Sequence, residues 1–297
     1  MWCRDRTLWL AGLVVAVGCG SKDVAREPSP TKTALPPPTT TPPIDAPALP
    51  AHQRFDDLAT AIRSTVPADA RVIGFGELHA RTDRPNVRSA LARFTEALPA
   101  FGDHVSDLVL ETWVVDPKCG QTAVKATKRL ETEVKRPEAT KNEVTLLAEA
   151  ARAAKIQPHA MTLACADFKA IAPEKGDVDP IAMLTLTTKE LTRIGKSAIA
   201  YRDKQPDHRP WITLYGGALH NDRFPPAGTA EWSYAPAIDQ ASANHYVEID
   251  LIVPELAEAA KGSATEPWFP LVAAADKVLV YQRGERSFVM ILPRAKP

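Results

Sequence analysis

The chain has 297 residues, and its 36 lysines and arginines equal its 36 aspartates and glutamates. That length supplies one large core, and the balanced charge argues against a nucleic-acid partner, which would favour a basic face. Nine of the 27 prolines fall within residues 20–50, which sets that stretch apart from any packed core.

Arg4 and Arg6 make a charged start, and Thr7–Val17 is an apolar run too short to span a bilayer as a helix. Small residues follow and end in Gly18-Cys19, so residues 1–19 have the shape of a secretory signal. The ending Ala16-Val17-Gly18-Cys19 resembles the bacterial lipobox, with Ala16 where that motif prefers leucine. The resemblance implies lipid on Cys19, a membrane partner, and a place in the bacterial cell envelope, periplasmic or cell-surface. Ordinary cleavage nearby, with Cys19 lost, is the alternative. Cys3 leaves with the signal in either case. Cys119 and Cys165 then remain, as one disulfide in an oxidising compartment or as two separate thiols. Neither lies in a Cys-x-x-Cys motif, which argues against redox catalysis and zinc ribbons.

Residues 20–50 are dense in Pro and Thr and poor in large apolar residues, so this linker favours extended polyproline II and reaches up to roughly 90 Å. One domain is expected over 51–297. Phe55, Leu58, Ala59 and Ile62 fall at helical spacing, which predicts a helix over His52–Thr65. Arg71–Phe75 reads as a strand. Val87, Leu91, Phe94 and Leu98 share a helical face. Asp107–Glu111 is a second strand. Mixed charges from Lys125 to Lys141 predict a solvated helix interrupted near Pro137, and Thr140 with Glu143 is a capping-box pattern for the helix after it. His159–Ala164 is a third strand. Asp179-Pro180 opens a long helix with Leu184, Leu191, Ile194, Ala198 and Tyr201 inward, and Trp211–Gly216 is a fourth strand. Strands alternating with helices predict an α/β fold with a mostly parallel central sheet. In the last segment, His245–Val253 alternates Val247, Ile249 and Leu251 with Glu248 and Asp250. Lys277–Gln282 and Ser287–Leu292 flank a turn at Arg283–Arg286, so antiparallel strands are expected at that edge.

Three strand ends carry ionisable groups. Gly74-Phe75-Gly76-Glu77-Leu78-His79 lacks the third glycine of a dinucleotide loop, and its Glu77 and His79, two apart, point the same way in extended backbone. Leu108-Val109-Leu110-Glu111 ends an apolar run in a carboxylate. Tyr215-Gly216-Gly217-Ala218-Leu219-His220-Asn221-Asp222 breaks at two glycines before a histidine. Parallel topology puts such ends on one sheet edge, where α/β proteins bind ligands. Asn221, Asp222 and Arg223 could orient substrate or cap a loop, and Arg81 and Arg88 could hold an anion. His52, His104, His159, His208 and His245 lack a motif and read as structural or exposed.

Gly-Glu-x-His after the first strand, the strand-ending Glu111, and Gly217-Ala218-Leu219-His220 together resemble the Tiki/TraB, ChaN and erythromycin-esterase superfamily, from Arg71 to the chain end. The resemblance implies an α/β core with its site at Glu77, His79, Glu111 and His220. It implies activities ranging from hydrolysis and metal-dependent proteolysis to haem binding by a lipoprotein. Two hydrolytic routes fit. His79, Glu111 and His220 would hold zinc or manganese with an open position for water and Glu77 as base. Alternatively, His79 would activate water without metal, its tautomer set by Glu77 or Glu111, while His220 stabilises developing charge. No Gly-x-Ser-x-Gly elbow or His-Glu-x-x-His helix is present. The expected function is hydrolysis of an ester or amide bond in a small-molecule or peptide substrate. The alternative is a non-catalytic lipoprotein that binds haem or another small ligand.

Overall fold

A computed structural model describes residues 48–133, 136–173, 177–205 and 208–295. The signal, Cys19 and nearly all of the linker lie outside the described residues.

The elements run β1 (Gln53–Phe55), α1 (Leu58–Thr65), β2 (Val72–Glu77), α2 (Ala90–Ala97), β3 (Val105–Val115), α3 (Gly120–Glu133), α4 (Ala139–Ala153), β4 (Gln157–Leu163), α5 (Cys165–Ile171) and α6 (Pro180–Arg202). There follow β5 (Trp211–Gly217), α7 (Ala218–Asn221), α8 (Ala235–Ala241), β6 (Tyr246–Ile252), α9 (Pro254–Ala259), β7 (Val278–Gly284) and β8 (Ser287–Ile291). One eight-stranded sheet has the order β1-β7-β8-β6-β2-β5-β3-β4. From β8 to β4 all neighbours are parallel, and β1-β7-β8 is antiparallel. The expected α/β architecture is therefore the observed one.

Both faces of the sheet are covered, as a parallel sheet requires. Phe75, Phe94, Leu108, Leu147 and Ile249 build the core on one face, under α1, α2 and α4. Val72, Val109, Leu191, Ile194, Leu214 and Ile238 build it on the other, under α6 and α8. The capping signal at Asp179-Pro180 holds: the Asp179 carboxylate accepts from the Ala182 N–H at 2.9 Å, closing an otherwise unpaired donor of the first turn.

Several local expectations fail for identifiable reasons. His52–Thr65 is not one helix. Gln53–Phe55 pairs with β7 as an edge strand, and the helix waits for its N-cap, Asp57, whose carboxylate accepts from Thr60 N–H at 2.8 Å. Thr140 and Glu143 do not form a capping box, because α4 starts after Glu138 and Glu143 accepts a long-range bond from the Ser89 hydroxyl at 2.7 Å. Tyr201 is exposed, one residue before the end of α6. β6 is parallel to both β2 and β8, and its alternating Glu248 and Asp250 are buried rather than solvated, since the sheet has no open face there.

Candidate functional site

The sheet order makes β2, β5 and β3 consecutive neighbours, so the three chemistry-bearing segments meet at one edge. Glu77 is the last residue of β2 and pairs with Gly217, the last of β5. Glu111 differs from expectation. β3 continues past it to Val115, and the register on β4 jumps: Leu110 opposes Ala160 and Trp113 opposes Met161, leaving Glu111 and Thr112 in a bulge. A bulge re-aims the side chain it carries, and here it delivers the Glu111 carboxylate to the end of β5.

Glu77 is buried and fully engaged. Its Oε1 lies 2.9 Å from His79 Nδ1, and its Oε2 accepts the Tyr215 hydroxyl at 2.7 Å. Tyr215 rises from the aromatic core, its ring 4.8 Å from that of Phe94. Burial, then the charge of Glu77, pushes the Tyr215 pKa well above its ordinary value, so the phenol stays a donor. A carboxylate can only accept. Nδ1 of His79 therefore carries the proton, and Nε2 of the neutral ring presents its lone pair.

Three groups surround that lone pair. The Arg136 guanidinium lies 2.9 Å from Nε2, and Glu111 Oε1 lies 3.7 Å away. Gly217 is the third: a Cβ there would stand 2.9 Å from Nε2, so only glycine lets β5 pass this close. The Gly217 N–H also donates to Glu111 Oε2 at 2.6 Å. Arg136 and Glu111 Oε1 are 3.8 Å apart, an ion contact rather than a hydrogen bond. The His79 side chain is 37 % exposed, which leaves the edge of this cluster open to solvent.

Burial and the Arg136 charge pull the His79 pKa down, but the nearby Glu111 carboxylate and the bond to Glu77 outweigh them and hold it above 6.5. Burial pushes the Glu111 pKa up. The charge of His220, then the close approach and charge of His79 and the charge of Arg136, carry it far below the ordinary carboxylate range.

His220 lies in the single turn of α7 and is buried. Its Nδ1 lies 2.8 Å from the Trp232 carbonyl and 3.0 Å from the Thr188 hydroxyl, which itself donates to that carbonyl at 2.7 Å. Nδ1–H thus donates to Trp232, and Nε2 is left for other partners. Asn221 resolves as an anchor: fully buried, it donates to the Gly74 carbonyl at 3.3 Å and to Asp250 Oδ1 at 3.2 Å, fastening α7 to β2. A Cβ on Gly76 would stand 2.4 Å from Asn221 Oδ1, which explains the second glycine of the first motif. Arg223 bonds the Tyr246 carbonyl and Asp239, Arg81 pairs with Asp83, and Arg88 pairs with Glu96. His159 is tied to Asp107 at 2.8 Å, toward the opposite end of β3.

The site residues that sequence reasoning missed are Arg136, Tyr215 as the support of Glu77, and Thr188 as a partner of His220. Arg136 falls in a run of mixed charges with nothing local to distinguish it. It follows α3, whose buried face packs with α5 in a separate small core, and Cys119 and Cys165 join the starts of those helices in a disulfide.

Nε2 of His79, the lone pair a metal would take, meets a guanidinium cation. Among the described residues, no group of three or more His, Cys, Asp and Glu side chains is arranged to hold a metal ion. No helix among them is long and apolar enough to cross a membrane.

No family model and no curated protein matches the chain. Two solved structures align over much of its length. The type III effector HopBA1 aligns at 13 % identity and TM-score 0.37, covering 76 % of this chain and 88 % of its own. A Bacillus cereus protein aligns at 10 % identity and TM-score 0.37, covering 82 % and 95 %. Likenesses this distant carry no argument about fold or activity.

Proposed function

We propose that the chain is a hydrolase of an ester or amide bond in which His79 activates water without a metal. The supporting observation is the hydrogen-bonded series Tyr215–Glu77–His79, which fixes the imidazole with Nε2 directed to Glu111 and Arg136. A base held in one tautomer by a buried carboxylate, with its second nitrogen at a partly open edge, is the arrangement general-base catalysis needs. Water attacks the carbonyl carbon as its proton passes to Nε2. Glu77 and Glu111 stabilise the resulting imidazolium. The carbon–oxygen or carbon–nitrogen bond then breaks, and His79 returns the proton to the leaving group.

In the same reading the protein is exported and lipid-anchored through Cys19, with residues 20–50 as its tether. The Cys119–Cys165 disulfide supports an oxidising compartment. The test is a panel of chromogenic esters and peptides assayed with chelator present. Turnover that persists with chelator supports the proposal. Turnover that appears only on adding zinc or manganese replaces this route with the metal-dependent one. No turnover, with a change in visible absorption on titrating haem, makes the chain a binding protein instead.

A further inference from the structure

Arg136 stands apart from the other site residues. A guanidinium is a planar fork of five donors matched to carboxylates and phosphates. Here one of its nitrogens meets a neutral imidazole nitrogen at 2.9 Å, and the nearest site carboxylate oxygen, Glu111 Oε1, is beyond hydrogen-bond range at 3.8 Å. The Arg136 side chain is 27 % exposed, so the fork remains reachable from the open edge. The other charges of the site are already engaged: Glu77 by His79 and Tyr215, Glu111 by Gly217 N–H. In this arrangement Arg136 also occupies the lone pair that His79 needs as a base.

We infer that Arg136 is a specificity residue that recognises an acidic group on the substrate, and that this group draws it off His79 and frees Nε2 for the reaction. A guanidinium–carboxylate pair is frequently bidentate, with two parallel N–H···O bonds where a single imidazole nitrogen accepts one, so the exchange runs toward the substrate. The substrate class is then an ester or amide with an anionic group near the scissile bond. This rests on the hydrolase reading above.

The experiment compares mono-4-nitrophenyl succinate with 4-nitrophenyl butyrate, an acidic and a neutral ester of the same chain length. Wild type, Arg136→Gln and Arg136→Lys are assayed on the alkaline plateau, with thermal melting to check the fold. Arg136→Gln is expected to lower the ratio of kcat/KM on the acidic ester to that on the neutral ester by about 10- to 100-fold. Arg136→Lys recovers part of the acidic preference. An equal loss on both esters, or no loss on either, overturns the inference while leaving the hydrolase reading intact. If wild type cleaves neither ester, that reading fails separately, and succinate titration followed through the His79 imidazole NMR signals decides the role of Arg136. Shifts in wild type that vanish in Arg136→Gln support it, and no shift in wild type overturns it.

Discussion

His79 Nδ1 lies 2.9 Å from Glu77 Oε1, and that one bond fixes which nitrogen of the imidazole can act as a base. Glu77→Gln can turn an amide N–H toward Nδ1 and favour the wrong tautomer. The expected result is a fall in kcat of about 10²- to 10⁴-fold with the melting temperature little changed. Tyr215→Phe leaves Glu77 Oε2 without its phenol donor, and the expected cost is about 1–3 kcal/mol of stability in urea unfolding.

The pH profile follows from the carboxylates around His79. Its pKa is held above 6.5, so the ring stays protonated over a wider range and activity rises as pH increases through that raised value. The acid limb of kcat/KM should therefore lie above pH 6.5. Glu111→Gln removes a group that raises the pKa, and the limb should move to lower pH. A limb that stays in place would show that Glu111 does not act on the base.

Asp250 sets a separate dependence, in stability. Burial pushes its pKa up to about 7. The Asn221 bond opposes this, and Asp222 and Glu266 add to it, while Arg283 lies 3.3 Å away. The folded state thus keeps a proton that the unfolded state releases near 3.8, so this group's effect is to lower stability as pH rises from about 4 to 7. His79, with its raised pKa, also loses stabilisation on the alkaline side. The difference between wild type and Asp250→Asn isolates the aspartate. Urea midpoints at pH 5 and pH 8 should show the variant gaining on wild type by a few kcal/mol at most between the two. Asp107 acts in the opposite sense: burial raises its pKa, but His159, Arg202 and Ser106 carry it down to about 2, so its contribution is lost only as pH falls below 4.

The disulfide closes a loop with a sequence separation of 46 between Cys119 and Cys165. On the chain-entropy account, removing it costs about 4 kcal/mol. Cys119→Ala with Cys165→Ala, or treatment with reductant, should lower the melting temperature. Peptide mapping of the native protein should recover the two cysteines as one linked fragment. Equal melting curves with and without reductant would contradict the linkage.

Much of the fold was legible because buried parallel strands are apolar runs that stop at glycine. β2 and β5 both show this, and their ends hold Glu77, His79 and His220 where the pattern placed them. The bulge that turns Glu111 inward was not legible, since no residue in Leu110–Trp113 marks it. β1 read as helix because its three residues continue the spacing of α1, and only pairing with a strand more than 200 positions away makes it extended. Glu248 and Asp250 mimic a solvated face. Arg283 contacts both, and that contact is long-range. Arg136 was hidden for the same reason, because its role depends on a distance to His79 across 57 positions.

The most direct test of the central claim is the effect of His79→Gln on kcat/KM for an ester or peptide that wild type cleaves. A loss of at least about 100-fold is expected, with a melting temperature near that of wild type. Activity that survives the substitution within a few-fold would contradict it.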